Sequence, residues 1–238
     1  MKVAAILPAA GLGTRMKQSE PSSQALPRKQ FLLLDGVPVV IHTIRKFVAC
    51  PLVGEVVLAL RPEDRPKVDE LIAAESFSKP VRTVDGGDSR QQSVENGLAA
   101  VAPGTEIVAV HDAVRPFIDV ETIEEAIRTA ADTGAAIVGI IPVDTVKQVH
   151  LHKITGTLNR DRLVLAQTPQ VFKTEILRKA YDVAREDGFV GTDESSLVER
   201  LEVEVTVVAG SDRNIKITRS SDIELAQLFL REEKQRAR

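Results

Sequence analysis

Short β-branched runs recur along this chain between longer stretches of helical periodicity, and that alternation limits the possible folds more than any other feature. Val3–Leu7, Glu55–Leu60, Val81–Val84, Ile107–Val110, Ala136–Ile141 and Val203–Val208 read as strands. Between them, 37–49, 63–75, 91–101, 120–131, 174–186 and 193–201 read as helices, and a last helix begins near Ser221. Strand and helix in turn are the pattern of crossover units, so the spacing predicts a Rossmann-like, doubly wound α/β fold around a mostly parallel sheet. The rhythm breaks after Pro142, where Thr145-Val146-Lys147-Gln148-Val149 alternates polar and apolar residues and Thr155-Gly156-Thr157 gives a turn signal. A protruding β-arm is therefore expected over about residues 142–166.

A chain of 238 residues has room for one such domain. With 43% hydrophobic and 27% charged residues it reads as a soluble globular chain, and no apolar run is long enough to cross a bilayer, so no membrane partner is expected. The apolar N-terminal stretch is too short for a signal peptide and reads as the first strand. Cys50 is the sole cysteine, which excludes an intrachain disulfide and a cysteine-based zinc site and suits a reducing, cytoplasmic setting. It is expected to be a small buried hydrophobe. The net charge of −3 argues against a nucleic-acid partner, so an anionic substrate would have to be met by local cations.

The first chemical signal is Pro8-Ala9-Ala10-Gly11-Leu12-Gly13-Thr14-Arg15-Met16, directly after the first strand. Small residues there let backbone N–H groups approach a phosphate or a base. The loop lacks the third glycine of a dinucleotide fingerprint and the Gly-Lys-Ser/Thr of a Walker loop. Arg15 within it, and Arg28 and Lys29 ahead of Phe31, flank the Ser-, Gln- and Pro-rich stretch Lys17–Leu26, which is expected to form a flap or lid over phosphates. Asp85-Gly86-Gly87-Asp88-Ser89-Arg90-Gln91-Gln92-Ser93 and His111-Asp112-Ala113-Val114-Arg115-Pro116 each follow a predicted strand. Ligands of open α/β sheets bind beyond the carboxyl ends of strands, so these loops are expected to converge with the first. Asp112 suits either a ribose or a magnesium ion, Mg²⁺, among phosphate oxygens, and equally a helix cap or turn. His111 reads as structural, and His150 and His152 lack the further ligands of a metal site.

In order along the chain, PAAGLGTRM, RKQFL, GGDSRQQSV, HDAVRP, DTVK, NRDRL, QTPQVF, TDESSLVE and NIKIT resemble the 2-C-methyl-D-erythritol 4-phosphate cytidylyltransferase family over nearly the whole length. The segment between Arg15 and Lys29 departs from the family by being several residues longer. The resemblance implies a single nucleotidyltransferase domain spanning 1–238, which transfers CMP from CTP to methylerythritol phosphate with release of pyrophosphate. It implies that Ala9, Ala10, Gly11, Gly87, Asp88 and Ser93 surround the cytidine and that Asp112, the candidate metal ligand, and Ala113 lie at the ribose and phosphates. Arg15, Lys29 and Lys216 would neutralise the triphosphate. Thr145, Arg160 and Thr168, with Arg115 and Thr192, would hold the acceptor, some of them contributed by the partner in a homodimer through the arm.

The attacking phosphate monoester is already mostly anionic near neutral pH, so the chemistry needs no general base; it needs fixed cations and Mg²⁺ to offset the charge of an anion attacking an anion. Two other functions fit parts of the pattern. Ribitol-5-phosphate cytidylyltransferase shares the HDAVRP, QTPQ and NIKIT segments, whereas the Gly87–Ser93 and Thr192–Ser196 segments look more like the methylerythritol enzyme. A non-catalytic nucleotide-binding regulator is expected to have lost phosphate-facing cations, and Arg15, Lys29 and Lys216 are present.

Overall fold

The computed structural model of the protein describes residues 1–11 and 28–236. Arg15 and the expected flap Lys17–Leu26 lie outside the described residues. In chain order the strands are β1 (Val3–Pro8), β2 (Leu33–Leu34), β3 (Val37–Pro38), β4 (Glu55–Leu60), β5 (Val81–Asp85), β6 (Ile107–Val110), β7 (Ala135–Ile140), β8 (Lys147–His150), β9 (Lys153–Thr157), β10 (Leu165–Lys173) and β11 (Thr206–Ala209). The helices are α1 (Val39–Ala49), α2 (Arg65–Glu75), α3 (Arg90–Ala100), α4 (Val120–Thr133), α5 (Thr174–Glu186), α6 (Glu194–Glu199) and α7 (Ser220–Arg236).

Seven strands form one sheet in the order β11-β7-β10-β6-β1-β4-β5, parallel except for β10, which runs against both its neighbours. Alternate residues of each strand feed two cores. Ala5, Leu7, Val56, Leu58, Ala109 and Val138 pack under α1 and α4, while Ala4, Ile6, Val57, Val108 and Val110 pack with Leu98, Leu177 and Tyr181 of the opposite helices. Burial on both faces is why the strands read as continuous apolar runs. Each fully buried aliphatic side chain contributes about 1.5–3 kcal/mol over an exposed one.

Three expectations are corrected here. Leu165–Lys173, absent from the expected strands, is a central strand of the sheet that the arm leads into. Its polar Gln167-Thr168-Pro169-Gln170 is poor strand sequence, and its polar side chains are buried against non-local partners: Gln170 donates to Asp193 Oδ2 at 2.7 Å and accepts from the Ser195 N–H at 3.0 Å. Within the arm, the turn lies at Leu151–His152, both at positive φ, and Gly156 instead pairs with Gln148 beside a register shift. The chain before α1 forms a β2–β3 hairpin around Asp35-Gly36, both at positive φ as a two-residue turn requires, so the helix starts at Val39 rather than Val37.

The charged C-terminal turns of α7 are partly engaged. Glu232 pairs with Arg213 at 2.7 Å, Glu233 with Lys46 at 3.0 Å, and Lys234 with Asp35. Beneath these, Phe229 meets Phe117 edge-on at 5.5 Å, and Ala226 joins Leu34 and Ile217 in a third buried cluster. Helix α7 thus braces both the chain just after Lys29 and the chain that carries Lys216.

Candidate active site

The parallel strands β1, β4, β5 and β6 bring their carboxyl ends to one edge of the sheet, and the loops beyond them are laced together. The N–H of Ala9 donates to Ala59 O at 2.8 Å, Gly86 N–H to Leu60 O at 2.6 Å and His111 N–H to Ile6 O at 2.9 Å. A Cβ on Gly86 would come within 2.5 Å of the Ala10 Cβ, so glycine is what lets the two loops close on each other. They enclose a cleft of about 350 Å³ lined by Ala9, Ala10, Gly11, Lys29, Gly87, Asp88, Ser93, Asp112, Ala113 and Lys216, as expected, and also by Gln30, Arg61, Arg90 and Thr218. Among the described lining residues four cations face two carboxylates, so this edge is locally positive in a chain of net charge −3. That suits a polyanionic ligand.

On one wall, the Ser89 hydroxyl caps α3 through the Gln92 N–H at 3.0 Å. Ser93 Oγ accepts from Gly87 N–H at 3.1 Å and donates to Ser89 O at 2.8 Å, so the Gly87–Asp88 turn is held by its own helix. On the other side, the buried Gln30 amide donates to Ala9 O at 2.8 Å, and Arg61 Nε donates to Ala10 O at 3.0 Å. These bonds fix Lys29 and Arg61 relative to the small-residue loop. Arg28 belongs elsewhere: it pairs with Asp64 and, at 3.1 Å, with Glu63.

The charged centre is Asp112, only 6% exposed. Lys216 Nζ lies 2.8 Å from its Oδ2, Arg90 Nε 3.3 Å from Oδ1 and Arg115 Nε 3.3 Å from Oδ2. Burial alone would raise the carboxyl pKa, but Lys216, Arg90 and Arg115 together hold it well below the usual range. Asp112 is therefore a permanent anion. Arg90 in turn binds both oxygens of Glu194 at 2.7 and 2.8 Å, and the Tyr181 hydroxyl donates to Glu194 Oε1 at 3.2 Å. Glu194 is 1% exposed.

Thr168 was expected to touch the acceptor, and the structure places its hydroxyl one layer below the cleft. It accepts from the Asp112 N–H at 3.1 Å and donates to His111 Nδ1 at 3.1 Å, because His111 Nε2–H is given to Arg115 O at 3.0 Å. His111 is structural, as its sequence context suggested. Its complete burial pushes the imidazole pKa down to about 4. The unfolded imidazole titrates near 6.5, so between those values the unfolded chain takes up the proton first, and stability is expected to fall by about 3 kcal/mol as pH drops through this window. Urea unfolding at a series of pH values checks this, and His111→Gln should flatten the slope between about 6.5 and 4.

The remaining expected acceptor residues are apart from this cleft. Arg115 sits beside it, bound to Asp112 and, at 2.7 Å, to Asn214 O. Thr145 and Arg160 are exposed on the arm, where Arg160 donates to Val143 O, and Thr192 is exposed ahead of α6. The neighbouring Asp193 is the N-cap of α6, accepting from Ser196 N–H at 3.1 Å. Arg61 lies outside every quoted motif, and Gln30 and Glu194 stood within motifs without an assigned role. Arg90 stood within a quoted motif, but its partner Glu194 is 104 residues away.

The family model described as 2-C-methyl-D-erythritol 4-phosphate cytidylyltransferase matches residues 3–232. A protein of that name from Solibacter usitatus is 57% identical, the match covering 100% of this chain and 99% of the relative. Another, from Acidobacterium capsulatum, is 49% identical over 99% of this chain and 100% of its own. Among solved structures, 4-diphosphocytidyl-2C-methyl-D-erythritol synthase from Anaerococcus prevotii superposes with a TM-score of 0.83 at 30% identity, covering 97% of this chain and 98% of its own.

Proposed function

The chain belongs to the 2-C-methyl-D-erythritol 4-phosphate cytidylyltransferase family and transfers CMP from CTP to 2-C-methyl-D-erythritol 4-phosphate, and from that premise we propose how its residues divide the work. The observation that carries the assignment of roles is the cation cluster around the buried, ionised Asp112 in the cleft. Ala9, Ala10 and Gly11 with Gly87, Asp88 and Ser93 receive the cytidine. Asp112 and Ala113 lie at the ribose and phosphates, and Arg15, Lys29 and Lys216 take up the triphosphate charge.

The acceptor phosphate arrives as an anion, so no residue has to remove a proton before it attacks the α-phosphorus. The site lowers the barrier by holding cations where charge builds up on the equatorial and bridging oxygens and by aligning attacking and leaving oxygens. Lys216, on a flexible stem with a side chain 29% exposed, can pass from Asp112 to a phosphate oxygen without leaving the cleft. Among the described residues no cluster of three or more metal-ligating side chains occurs. A single ionised carboxylate beside a triphosphate nevertheless fits Mg²⁺, which takes one or two protein carboxylates and completes its shell with phosphates and water. Asp112 would hold it, and when bound it would supply further neutralisation of the phosphates.

We place the acceptor between two subunits of a homodimer. Among the arm's residues Val149, Leu151 and Ile154 are 56%, 79% and 65% exposed, more apolar surface than a lone hairpin keeps in water, and a second copy would cover it. Arg160 and Thr145 would then serve the partner's cleft, with Arg115 and Thr192 completing the acceptor pocket and Thr168 bracing it from below. A single buried thiol, Cys50, suits a reducing, cytoplasmic setting. A pyrophosphate-release assay with CTP tests the acceptor. Methylerythritol phosphate should give turnover at least about 10²-fold above ribitol phosphate, since a site built for one set of hydroxyls leaves polar groups unpaired with another. Equal turnover with ribitol phosphate would overturn the acceptor assignment.

A further inference from the structure

Of the two cations that both line the cleft and contact Asp112, Arg90 differs from Lys216 in how it is held. Its Nη1 is gripped by both oxygens of Glu194, which is 1% exposed and braced by Tyr181. Drawing Arg90 away would strand that carboxylate in the interior, where an unpaired charge is far costlier than in water. Lys216 leaves nothing buried behind when it swings off, apart from Asp112 itself. The planar fork of arginine can also bridge two carboxylates at once, as Arg90 does with Nη1 on Glu194 and Nε on Asp112 at 3.3 Å.

We propose that Glu194 is a positioning residue which pins Arg90 as a permanent counter-ion of Asp112 in the cleft, so that Lys216 can move to the triphosphate while the carboxylate stays in place. The inference rests on the cleft being the CTP site. When CTP enters, its charge competes with Asp112 for every nearby cation. A cation tied from behind stays where it is, and the Asp112 carboxylate keeps its orientation towards the ribose and phosphates. Without Glu194, Arg90 joins Lys216 on the nucleotide, and Asp112 loses its alignment while CTP gains a ligand.

This gives the test a sign that simple damage does not share. In Glu194→Gln, kcat should fall by about 10²-fold, the scale of a misplaced catalytic group, while CTP binding followed by calorimetry should be unchanged or tighter. Arg90→Lys keeps the charge but loses the bridge, and should likewise lower kcat with CTP affinity retained. The double variant should be no worse than the more impaired single one, because both act through one contact. Wild-type protein that fails to bind CTP would overturn the reading of the cleft itself. Wild-type binding and turnover with a normal kcat in Arg90→Lys, or a kcat loss in Glu194→Gln matched by equally weakened CTP binding, would overturn the positioning role. Since Arg90→Lys leaves the Glu194 carboxylate with a cation, it tests the bridge even if Glu194→Gln folds poorly.

Discussion

Changing Lys29 to alanine is expected to lower kcat by about 10²–10³-fold, the scale seen when one electrostatic contact to a transition state is removed. The KM for CTP should change by less than about threefold, because the charge is used chiefly while the α-phosphorus is being transferred. The backbone around it is secured by other groups: Gln30 is bound to Ala9 O, and α7 packs against Leu32 and Leu34. Thermal stability should therefore stay close to wild type. Arg28 is no substitute, since Asp64 and Glu63 already hold it. Steady-state kinetics with both substrates varied decides the matter, and a kcat within about threefold of wild type would remove Lys29 from the transition state.

Mixing inactive Lys29→Ala with inactive Arg160→Ala is expected to restore activity if the acceptor site is shared between subunits. In a mixed dimer one site carries both lesions and the other carries neither. With half the dimers mixed, recovery should approach roughly a quarter of wild type, on counting independent sites. If each site were built from one chain, every site would keep one lesion and mixing would restore nothing. Subunit exchange followed by mass spectrometry separates a silent mixture from one that never formed. Silence with exchange demonstrated would return Arg160 to its own chain.

Much of this architecture can be read from sequence because parallel strands buried on two faces have to be apolar throughout. Val3–Pro8 and Glu55–Leu60 declare themselves in that way. The loops beyond them follow from the carboxyl-edge rule, and Asp112, Lys29 and Lys216 do meet in one cleft. What stayed hidden depends on distant partners. β10 is disguised by Thr168, Pro169 and Gln170, which are tolerable inside a sheet only because Asp112, Asp193 and Ser195 come from elsewhere to bond the polar side chains. Proline in a run ordinarily argues for an edge or a loop. Arg90 and Glu194 look like ordinary helix residues until folding places them within 2.7 Å. Asp35-Gly36, by contrast, was a legible turn signal that the stronger helical pattern after it concealed.

β10 enters the sheet from the cleft edge, opposite in sense to its companions, and the chain reaches it directly from the arm. Its first residues are the root of the arm: Leu165 and Ala166 pair with Ile140 and Gly139, and just beyond them, below the cleft, Thr168 holds the Asp112 amide. Along the strand axis the arm is therefore followed first by a two-residue pairing with β7 and then, past a register shift, by the Gln170–Lys173 stretch, which β6 also pairs. Whatever covers the arm is thus joined, through one continuous strand, to the residue that holds the backbone of the carboxylate at the centre of the charge cluster.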